Sequence, residues 1–506
     1  MIKIIDCGSQ LTQNIARRVR EMGVYAEITS FKTPASEVRT RDLEGIIISG
    51  GQFSVYDPGA PIYEREVLEL GVPVLGICYG QQSIAHLLGG KVVSTPNREY
   101  GRTKVFRKKS SNLLGFQEDS FNVWMSHGDI VERVPEGFEV IARSENGHIA
   151  AMQNISRRIY AVQFHPEVDH TNHGREILAA FLNICNAKRN WDPAMQYEKI
   201  VEQIKAQVEG KVGVGGISGG VDSSVASVLV GRVAGKDYHP IFVDNGLLRL
   251  NEAEQVKNSL EPFGLNVRYV DAEKRFLEKL KGITDPDQKR KIIGHEFIAV
   301  FEEQARGIEN ASYLVQGTLY PDVIESVPVY GSSSKIKRHH NVGGLPEKMG
   351  LGVVEPFRQL FKDEVRKIGE RLRLPKEVVW RHPFPGPGLG IRIIGDVTER
   401  KLDIVRKADA IFIEELKKRD LYYEISQAFA GLLGGNAVGV MGDEGTYQAI
   451  VGLRAVVTND FMTADWYHFN PEDLTAISNR IVNEVKGVNR TFYDTSQKPP
   501  ATIEWE

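Results

Sequence analysis

The chain has 506 residues, with 63 Lys and Arg against 66 Asp and Glu, a near-neutral balance that lacks the basic footprint of a dedicated nucleic-acid binder. Its three cysteines, Cys7, Cys78 and Cys185, are too few and too scattered for a disulfide framework or a zinc site, so a reducing cytoplasm is expected. No apolar run approaches the roughly 18 residues of a membrane span, and Ile2-Lys3-Ile4-Ile5 opens directly as a strand with no charged leader before it. The expectation is a soluble protein of about three domains at roughly 150 residues each, acting on small charged substrates, with neither nucleic acid nor membrane as partner.

The first third alternates strand and helix signals. After a strand over residues 2–6, Leu11, Ile15, Val19 and Met22 recur at helical spacing until Gly23, and residues 24–28 and 45–49 read as further strands, the opening of a parallel α/β domain. Residues 74–77 form an apolar strand that runs into a helix with Cys78 at the junction, and Gly76 and Gly80 stand two positions to either side. A nucleophile on a sharp strand-to-helix turn needs small neighbours at those positions, and a helix N-terminus lowers the pKa of a thiol, so Cys78 is a candidate nucleophile. The bland alternative, a small core hydrophobe, stays open until partners are found. They lie downstream. Strands read over 139–143, 148–153 and 159–164, with Asn146-Gly147 a hairpin turn, and the last ends in Gln163-Phe164-His165-Pro166-Glu167. His165 can serve as base and Glu167 can hold its imidazole in one tautomer, which completes a Cys-His-Glu triad.

The elbow from Gly76 to Gln82 and the His-Pro-Glu box together resemble the class I glutamine amidotransferases. The resemblance implies that Gly51, in Ser49-Gly50-Gly51, and the backbone N–H of Tyr79 form an oxyanion hole, and that Gln82 contacts glutamine. Gln52 stands where proline is usual in that family, and Gln81 where methionine is common. A helix over 174–185 closes this domain, and the polar stretch 188–193 sets its boundary, giving a domain over 1–188.

A helix with Ile200, Ile204 and Val208 on one face leads to a buried strand over 212–217 and the loop Ser218-Gly219-Gly220-Val221-Asp222-Ser223-Ser224. Two glycines let backbone N–H groups approach a ligand, while the serine hydroxyls and the first turn of the following helix add donors and partial positive charge, a combination that binds phosphate. The lysine of the familiar nucleotide loop is absent and Asp222 lies inside, which suits a Mg²⁺ between carboxylate and polyphosphate. A glycine-rich turn capped by Asp and Ser is the alternative. The loop resembles the signature of the ATP pyrophosphatases, which implies cleavage of ATP between the α- and β-phosphates and transfer of AMP to an acceptor. Strands over 241–244, 267–270 and 313–316 fit a second doubly wound domain over 189–381, with ligands at the strand C-termini. Residues 321–356 form a long irregular stretch carrying Lys335, Lys337 and Arg338, a basic cluster that is either functional or a solvated face, and the pair His339-His340, a poor metal site by itself.

From His382-Pro383-Phe384-Pro385-Gly386-Pro387-Gly388 onward the alternation changes. Helices over 399–419 and 471–486 mix with strands over 391–394, 438–441, 450–457 and 489–493, which predicts a smaller α+β domain over 382–506. The expected fold class is two doubly wound α/β domains followed by a smaller α+β C-terminal domain. The apolar, proline-anchored stretch 498–506 reads as docked rather than frayed.

In this order the parts resemble the glutamine-hydrolysing GMP synthetase family over essentially the whole chain. The resemblance implies that Cys78 frees ammonia from glutamine, that ATP adenylates xanthosine 5′-monophosphate (XMP), and that ammonia displaces AMP to give GMP. It assigns Mg²⁺ on Asp222, the loop donors and Lys362 to pyrophosphate departure, although Lys362 also reads as an ordinary lysine on a helix surface. Arg290, Lys498, Ile503 and Glu504 would hold XMP, and no tightly bound organic cofactor is expected. A homodimer through the C-terminal domain is implied. The proline, valine and arginine usual near Gly434-Gly435-Asn436, and an arginine near Gly445, are replaced here, which bears on subunit pairing and acceptor affinity. Two competing readings are a different enzyme of the same ATP chemistry, such as an NAD synthetase or a tRNA-thiolating enzyme, and a non-catalytic module that senses glutamine and nucleotide. The C-terminal motif argues against the first, and the intact triad and loop against the second.

Overall fold

The computed structural model describes residues 1–326, 350–441, 443–458, 461 and 463–506. The basic cluster at Lys335, Lys337 and Arg338 and the pair His339-His340 lie outside the described residues. The chain divides into two compact units, the first spanning Met1–Asp192 and the second opening at Pro193.

In the first unit, nine strands are β1 (Ile2–Asp6), β2 (Ala26–Ser30), β3 (Gly45–Ile48), β4 (Val74–Ile77), β5 (Lys91–Arg107), β6 (Ser120–Arg133), β7 (Glu139–Ser144), β8 (Ile149–Asn154) and β9 (Ile159–Val162). They form one sheet in the order β2-β1-β3-β4-β9-β8-β7-β5-β6. The five strands from β2 to β9 pair in parallel, and β1, β3, β4 and β9 are buried along their whole length, as continuous Ile, Val and Leu runs require when both faces are covered. From β9 outward the pairing is antiparallel. The doubly wound half is thus extended by a ribbon, and β5 shows the half-exposed alternation typical of such strands. Strands β7 and β8 meet at the expected turn, where Gly147 has φ 84°, a value glycine adopts without a steric penalty.

The second unit begins with β10 (Val212–Ile217), β11 (Tyr238–Asp244), β12 (Arg268–Asp271), β13 (Ala311–Val315) and β14 (Gly352–Val354), all parallel in the order β12-β11-β10-β13-β14. Strand β14 falls inside the stretch expected to be irregular. A second sheet follows: β15 (Gln427–Met441) and β16 (Glu444–Val457) make a long hairpin, β17 (Asp465–Trp466) extends it, and β18 (Val488–Tyr493) pairs with β16 in parallel. One hydrophobic core runs from Val214, Ile241 and Phe276 through Leu389 and Ile393 to Ala430, Val451 and Ile481, so residues on either side of position 381 share a single interior.

Residues 391–394 are not the strand their β-rich composition predicts. A 3₁₀ turn, Gly388–Ile391, ends there, and only Ile393 makes a bridge, to Leu432. Tertiary demand overrides propensity, because the intervening Arg392 is fully buried in an ion pair with Glu504. The stretch 498–506 is docked as expected. Trp505 donates to Asp494 Oδ2 at 2.9 Å and packs edge-on against Phe429 at 5.1 Å, over a floor kept free of side chains by Gly431 and Gly452. A Cβ on Gly431 would stand 2.7 Å from both the Trp505 ring and the Arg392 carbonyl. Gly431→Ala is therefore expected to destabilise the second unit by about 1–3 kcal/mol, read as a lower urea midpoint with the first unit's transition unmoved.

Candidate active site

Strand β4 ends at Ile77 and the helix Tyr79–Leu87 starts two positions on, so Cys78 alone makes the turn. Its φ is 53°, a left-handed value that a non-glycine residue holds only when its surroundings over-determine it. They do. A Cβ on Gly76 would stand 2.6 Å from the Gly80 carbonyl, and one on Gly80 would run into the Ile48 carbonyl, so the two small residues are what let the strand and helix close this tightly. The Cys78 N–H donates to the Val162 carbonyl at 2.8 Å, which ties the elbow to β9, the strand that carries the chain on to His165 and Glu167.

The structure brings these three residues together. His165 Nδ1 lies 2.7 Å from Glu167 Oε1, both side chains are buried, and His165 and Cys78 are neighbours around Gly50, where a Cβ would stand 3.1 Å from the imidazole and 3.6 Å from Cys78 Cβ. Burial alone would lower the imidazole pKa, but the charge of Glu167 and then that of Cys78 outweigh it and hold His165 well above the usual histidine value. A histidine so held beside Cys78 is placed to exchange a proton with the reacting groups at the sulfur. At the other two sulfurs burial pushes Cys185 up to about 12, and burial with the charge of Asp6 pushes Cys7 well above its ordinary value.

Cys78 and His165 open on a cavity of about 540 Å³ that Gly51, Gln82, Ser126 and Asp129 also line. Gly51 is close-packed, since a Cβ there would be 2.6 Å from the Cys7 carbonyl. Tyr79 begins the helix behind the sulfur, and Gln82 donates to the Asp129 carbonyl at 2.8 Å. Gln52 sits exposed at the rim. Gln81 is buried and donates to the Ile149 carbonyl at 3.0 Å, pinning the helix to β8. Sequence reading missed the far wall. There His127 lies between Glu99 Oε2 at 3.0 Å and the Asp129 carbonyl at 3.1 Å. Burial raises the Glu99 pKa, yet hydrogen bonds from His127, Ser144 and Asn146 outweigh it and hold the carboxyl below its usual value. This pair braces β6 where the Ser126 carbonyl stands 3.7 Å from Cys78 Sγ. Its members are 28 residues apart on paired strands, so no local motif announces them.

In the second unit, β10 passes through Ser218, Gly219 and Gly220 into the helix Val221–Ala234, so Val221, Asp222, Ser223 and Ser224 form its first turn. Gly219 has φ 74°. Ser218 Oγ and Ser223 Oγ are 3.1 Å apart, and the Gly220 N–H points to Ser218 Oγ at 3.4 Å. Asp222 Oδ1 is buried without a hydrogen-bond partner among the described residues, while Oδ2 lies 3.3 Å from Lys362 Nζ, at the start of the helix Lys362–Arg371. Lys362 therefore belongs to the loop rather than to a plain helix surface. An orphaned carboxylate oxygen among phosphate donors fits a hard divalent cation shared with phosphate oxygens.

Residues 3–185 match the Glutamine amidotransferase class-I family, and residues 414–505 match the GMP synthase C terminal domain. The GMP synthase [glutamine-hydrolyzing] of Aquifex aeolicus is 54% identical over an alignment that covers 100% of this chain and 99% of that one. The proteins of the same name from Brachyspira hyodysenteriae and Fusobacterium nucleatum are 51% and 52% identical, again with 100% and 99% covered. The chain belongs to the glutamine-hydrolyzing GMP synthase family. That membership sets aside the NAD synthetase, tRNA-thiolating and purely regulatory readings.

The four residues that resemblance to the GMP synthases assigned to the acceptor all bear on the docked stretch. Arg290 donates to the Glu506 carbonyl. Ile503 is buried with Phe429, Val456 and Ala464, and Lys498 Nζ donates to the Phe461 carbonyl at 2.6 Å. Glu504 accepts from Arg392 Nε and Nη2 at 3.1 and 2.9 Å and from Gln427 at 2.7 Å. Arg392, which composition gave no reason to single out, thus fixes the carboxylate expected to face the purine. His382 is structural: it stacks on Tyr422 at 3.9 Å, accepts from the Ala428 N–H, and burial pushes it down to about 4.

Because Glu167 is a main reason that His165 stays protonated above the ordinary range, Glu167→Gln is expected to lower the imidazole pKa. The imidazolium would then be lost at lower pH. Glutaminase kcat/KM should fall by roughly a hundredfold or more, and the alkaline limb of its pH profile should move to lower pH; a variant with an unshifted limb would remove Glu167 from this role.

Proposed function

We propose that the protein converts XMP to GMP, taking nitrogen from glutamine and cleaving ATP to AMP and pyrophosphate. The observation that carries this is the coexistence, in a chain matched end to end by proteins of that name, of a Cys-His-carboxylate centre and an amide-lined phosphate loop with an orphaned carboxylate oxygen.

In the first unit, Cys78 attacks the side-chain amide carbon of glutamine. Backbone N–H groups at Gly51 and Tyr79 stabilise the oxyanion, His165 gives its proton to the departing ammonia, and a thioester remains. His165 then takes a proton from water, whose oxygen displaces the sulfur to release glutamate. In the second unit, the C2 oxygen of XMP attacks the α-phosphorus of ATP and pyrophosphate leaves. Ammonia adds at C2 and expels AMP. Negative charge accumulates on the departing pyrophosphate, and the loop N–H groups, Ser218, Ser223 and Lys362 are the chain's own means of meeting it. A Mg²⁺ held by Asp222 would supply further charge neutralisation there. Arg290 and Lys498 suit the acceptor phosphate, Ile503 its apolar edge, and Glu504 the purine N–H groups.

Assembly as a two-fold homodimer through the C-terminal hairpin is part of this reading. It is supported by Val438, Val440 and Tyr447, which are 69, 76 and 68% exposed at the end of β15 and β16, with Val438 and Tyr447 paired in register; exposed apolar side chains so grouped call for a partner surface. The hairpin is kinked by a bulge between Leu433 and Asn436 with Gly435 at φ 97°. No described helix is long and apolar enough to cross a membrane, and a cytoplasmic location agrees with the three free cysteines.

Two variants test the division of labour. Cys78→Ala is expected to abolish glutamine-dependent GMP formation while ammonium salts still support it; retention of glutaminase activity would sink the assignment. Asp222→Asn should reduce synthesis from either nitrogen source by at least a hundredfold and leave glutamine hydrolysis intact, measured as AMP and pyrophosphate release alongside glutamate release. Undiminished synthesis from ammonia in this variant would remove Asp222 from the ATP site.

A further inference from the structure

We propose that Arg381 is a positioning residue for the phosphate loop: paired with Glu252, it fixes the direction of the peptide between Gly219 and Gly220. The inference rests on the reading of Ser218 to Ser224 as the ATP site and adds a residue from 162 positions away.

Arg381 Nη1 donates to the Gly219 carbonyl at 3.0 Å, and Nη2 donates to Glu252 Oε1. Glu252 is buried at 1% side-chain exposure, and its other oxygen accepts the Arg249 N–H at 2.8 Å. One carboxylate thus joins the turn after β11, the segment after the short helix Lys376–Val379, and the phosphate loop. The contact is close on all sides. A Cβ on Gly219 would stand 2.9 Å from Val256 Cγ2, 3.2 Å from Arg381 Nη1 and 3.4 Å from Glu252 Oε1.

In a trans peptide the C=O and the following N–H point in opposite directions. Holding the Gly219 oxygen outward on the guanidinium therefore turns the Gly220 N–H inward, where it lies 3.4 Å from Ser218 Oγ in the space the phosphate donors share. Among the described residues of the loop itself, the Gly220 N–H meets only Ser218 Oγ, a long contact to a hydroxyl that Ser223 shares. Glycine on both sides of the peptide makes its rotation sterically cheap, and a rotated peptide would aim a carbonyl oxygen at the phosphate, replacing a donor with a repelling dipole. The two glycines that let the backbone approach a polyphosphate also leave it free to face the wrong way, and Arg381 removes that freedom.

The test is ammonia-driven synthesis with Arg381→Met and Arg381→Lys, measuring KM for MgATP and for XMP separately, with thermal unfolding recorded on each. Arg381→Met is expected to raise KM for MgATP by about tenfold to a hundredfold, the range for one charge-assisted hydrogen bond, while KM for XMP stays within about twofold. Arg381→Lys should recover part of the loss, since an ammonium keeps the charge but not the fork that reaches both acceptors. An unchanged KM for MgATP overturns the proposal, and so does a parallel rise for both substrates, which would mark Arg381 as merely structural. If Arg381→Met does not fold, Arg381→Lys decides by the same criterion, a selective rise in KM for MgATP of threefold or more. Failure of the unmodified protein to turn ATP into AMP and pyrophosphate would overturn the ATP reading itself, an outcome distinct from either.

Discussion

Both reaction centres depend on one geometric constraint: a parallel strand has to turn into a helix within one to three residues. A turn that tight delivers the helix N-terminus, with its unpaired N–H groups and partial positive charge, to the point where the strand lets go of the chain. That charge suits anions, and it is placed beside Cys78 in one unit and beside the serine hydroxyls of the loop in the other. The backbone pays for the turn differently in each. Cys78 sits at φ 53°, which a non-glycine residue holds only under outside restraint, whereas Gly219 reaches φ 74° without a steric penalty and needs restraint only to keep one of the directions open to it. At the elbow the restraint is the Val162 carbonyl together with the closeness of Gly76 and Gly80. At the phosphate loop it comes from side chains far away in sequence.

A second theme is the burial of cations to hold one segment. Lys289, Arg392 and Arg454 are all 0% exposed, and all three grip residues 494–506. Lys289 donates to the Ile393 carbonyl at 2.7 Å and to the Glu506 carboxylate. Arg454 donates to the carbonyls of Asp494, Ser496 and Thr502 at 3.2, 2.6 and 3.3 Å, and Arg392 adds its guanidinium faces to the rings of Phe384 and Phe429 at 5.0 and 4.3 Å. Taking three cations out of water is expensive, and apolar residues of similar volume would pack the segment at less cost. What ionic contacts add is direction. Each fixes a particular oxygen, so the Glu504 carboxylate is held in one orientation.

How much of this was legible in the sequence follows from how local each signal is. The buried parallel strands β1, β4, β10 and β11 were readable because covered strands are continuous apolar runs. Cys78, the His165 and Glu167 pair and the loop from Ser218 to Ser224 were readable because each motif fits within a single turn of chain. The antiparallel ribbon was not. Strand β5, with many charged residues and a proline along its 17 positions, carries no apolar run, and its partner β6 is recognisable only from the pairing. The stretch 391–394 misled for the converse reason, since its isoleucines favour a strand while the buried Arg392 between them dictates a turn. The connections of Glu99 to His127, Arg381 to Gly219 and Lys289 to Glu506 join residues 28, 162 and 217 positions apart, and nothing in a local pattern encodes them.

The contrast among the three sulfurs reaches into chemistry beyond turnover. All three are buried, but the surroundings of Cys7 and Cys185 oppose ionisation, whereas Cys78 lines a cavity together with His165. A mild electrophile with the shape of glutamine therefore meets one competent sulfur per chain. Alkylation at a single site, read by intact mass, then counts correctly assembled amidotransferase cavities molecule by molecule, which makes this protein its own gauge of how much of a preparation is competent.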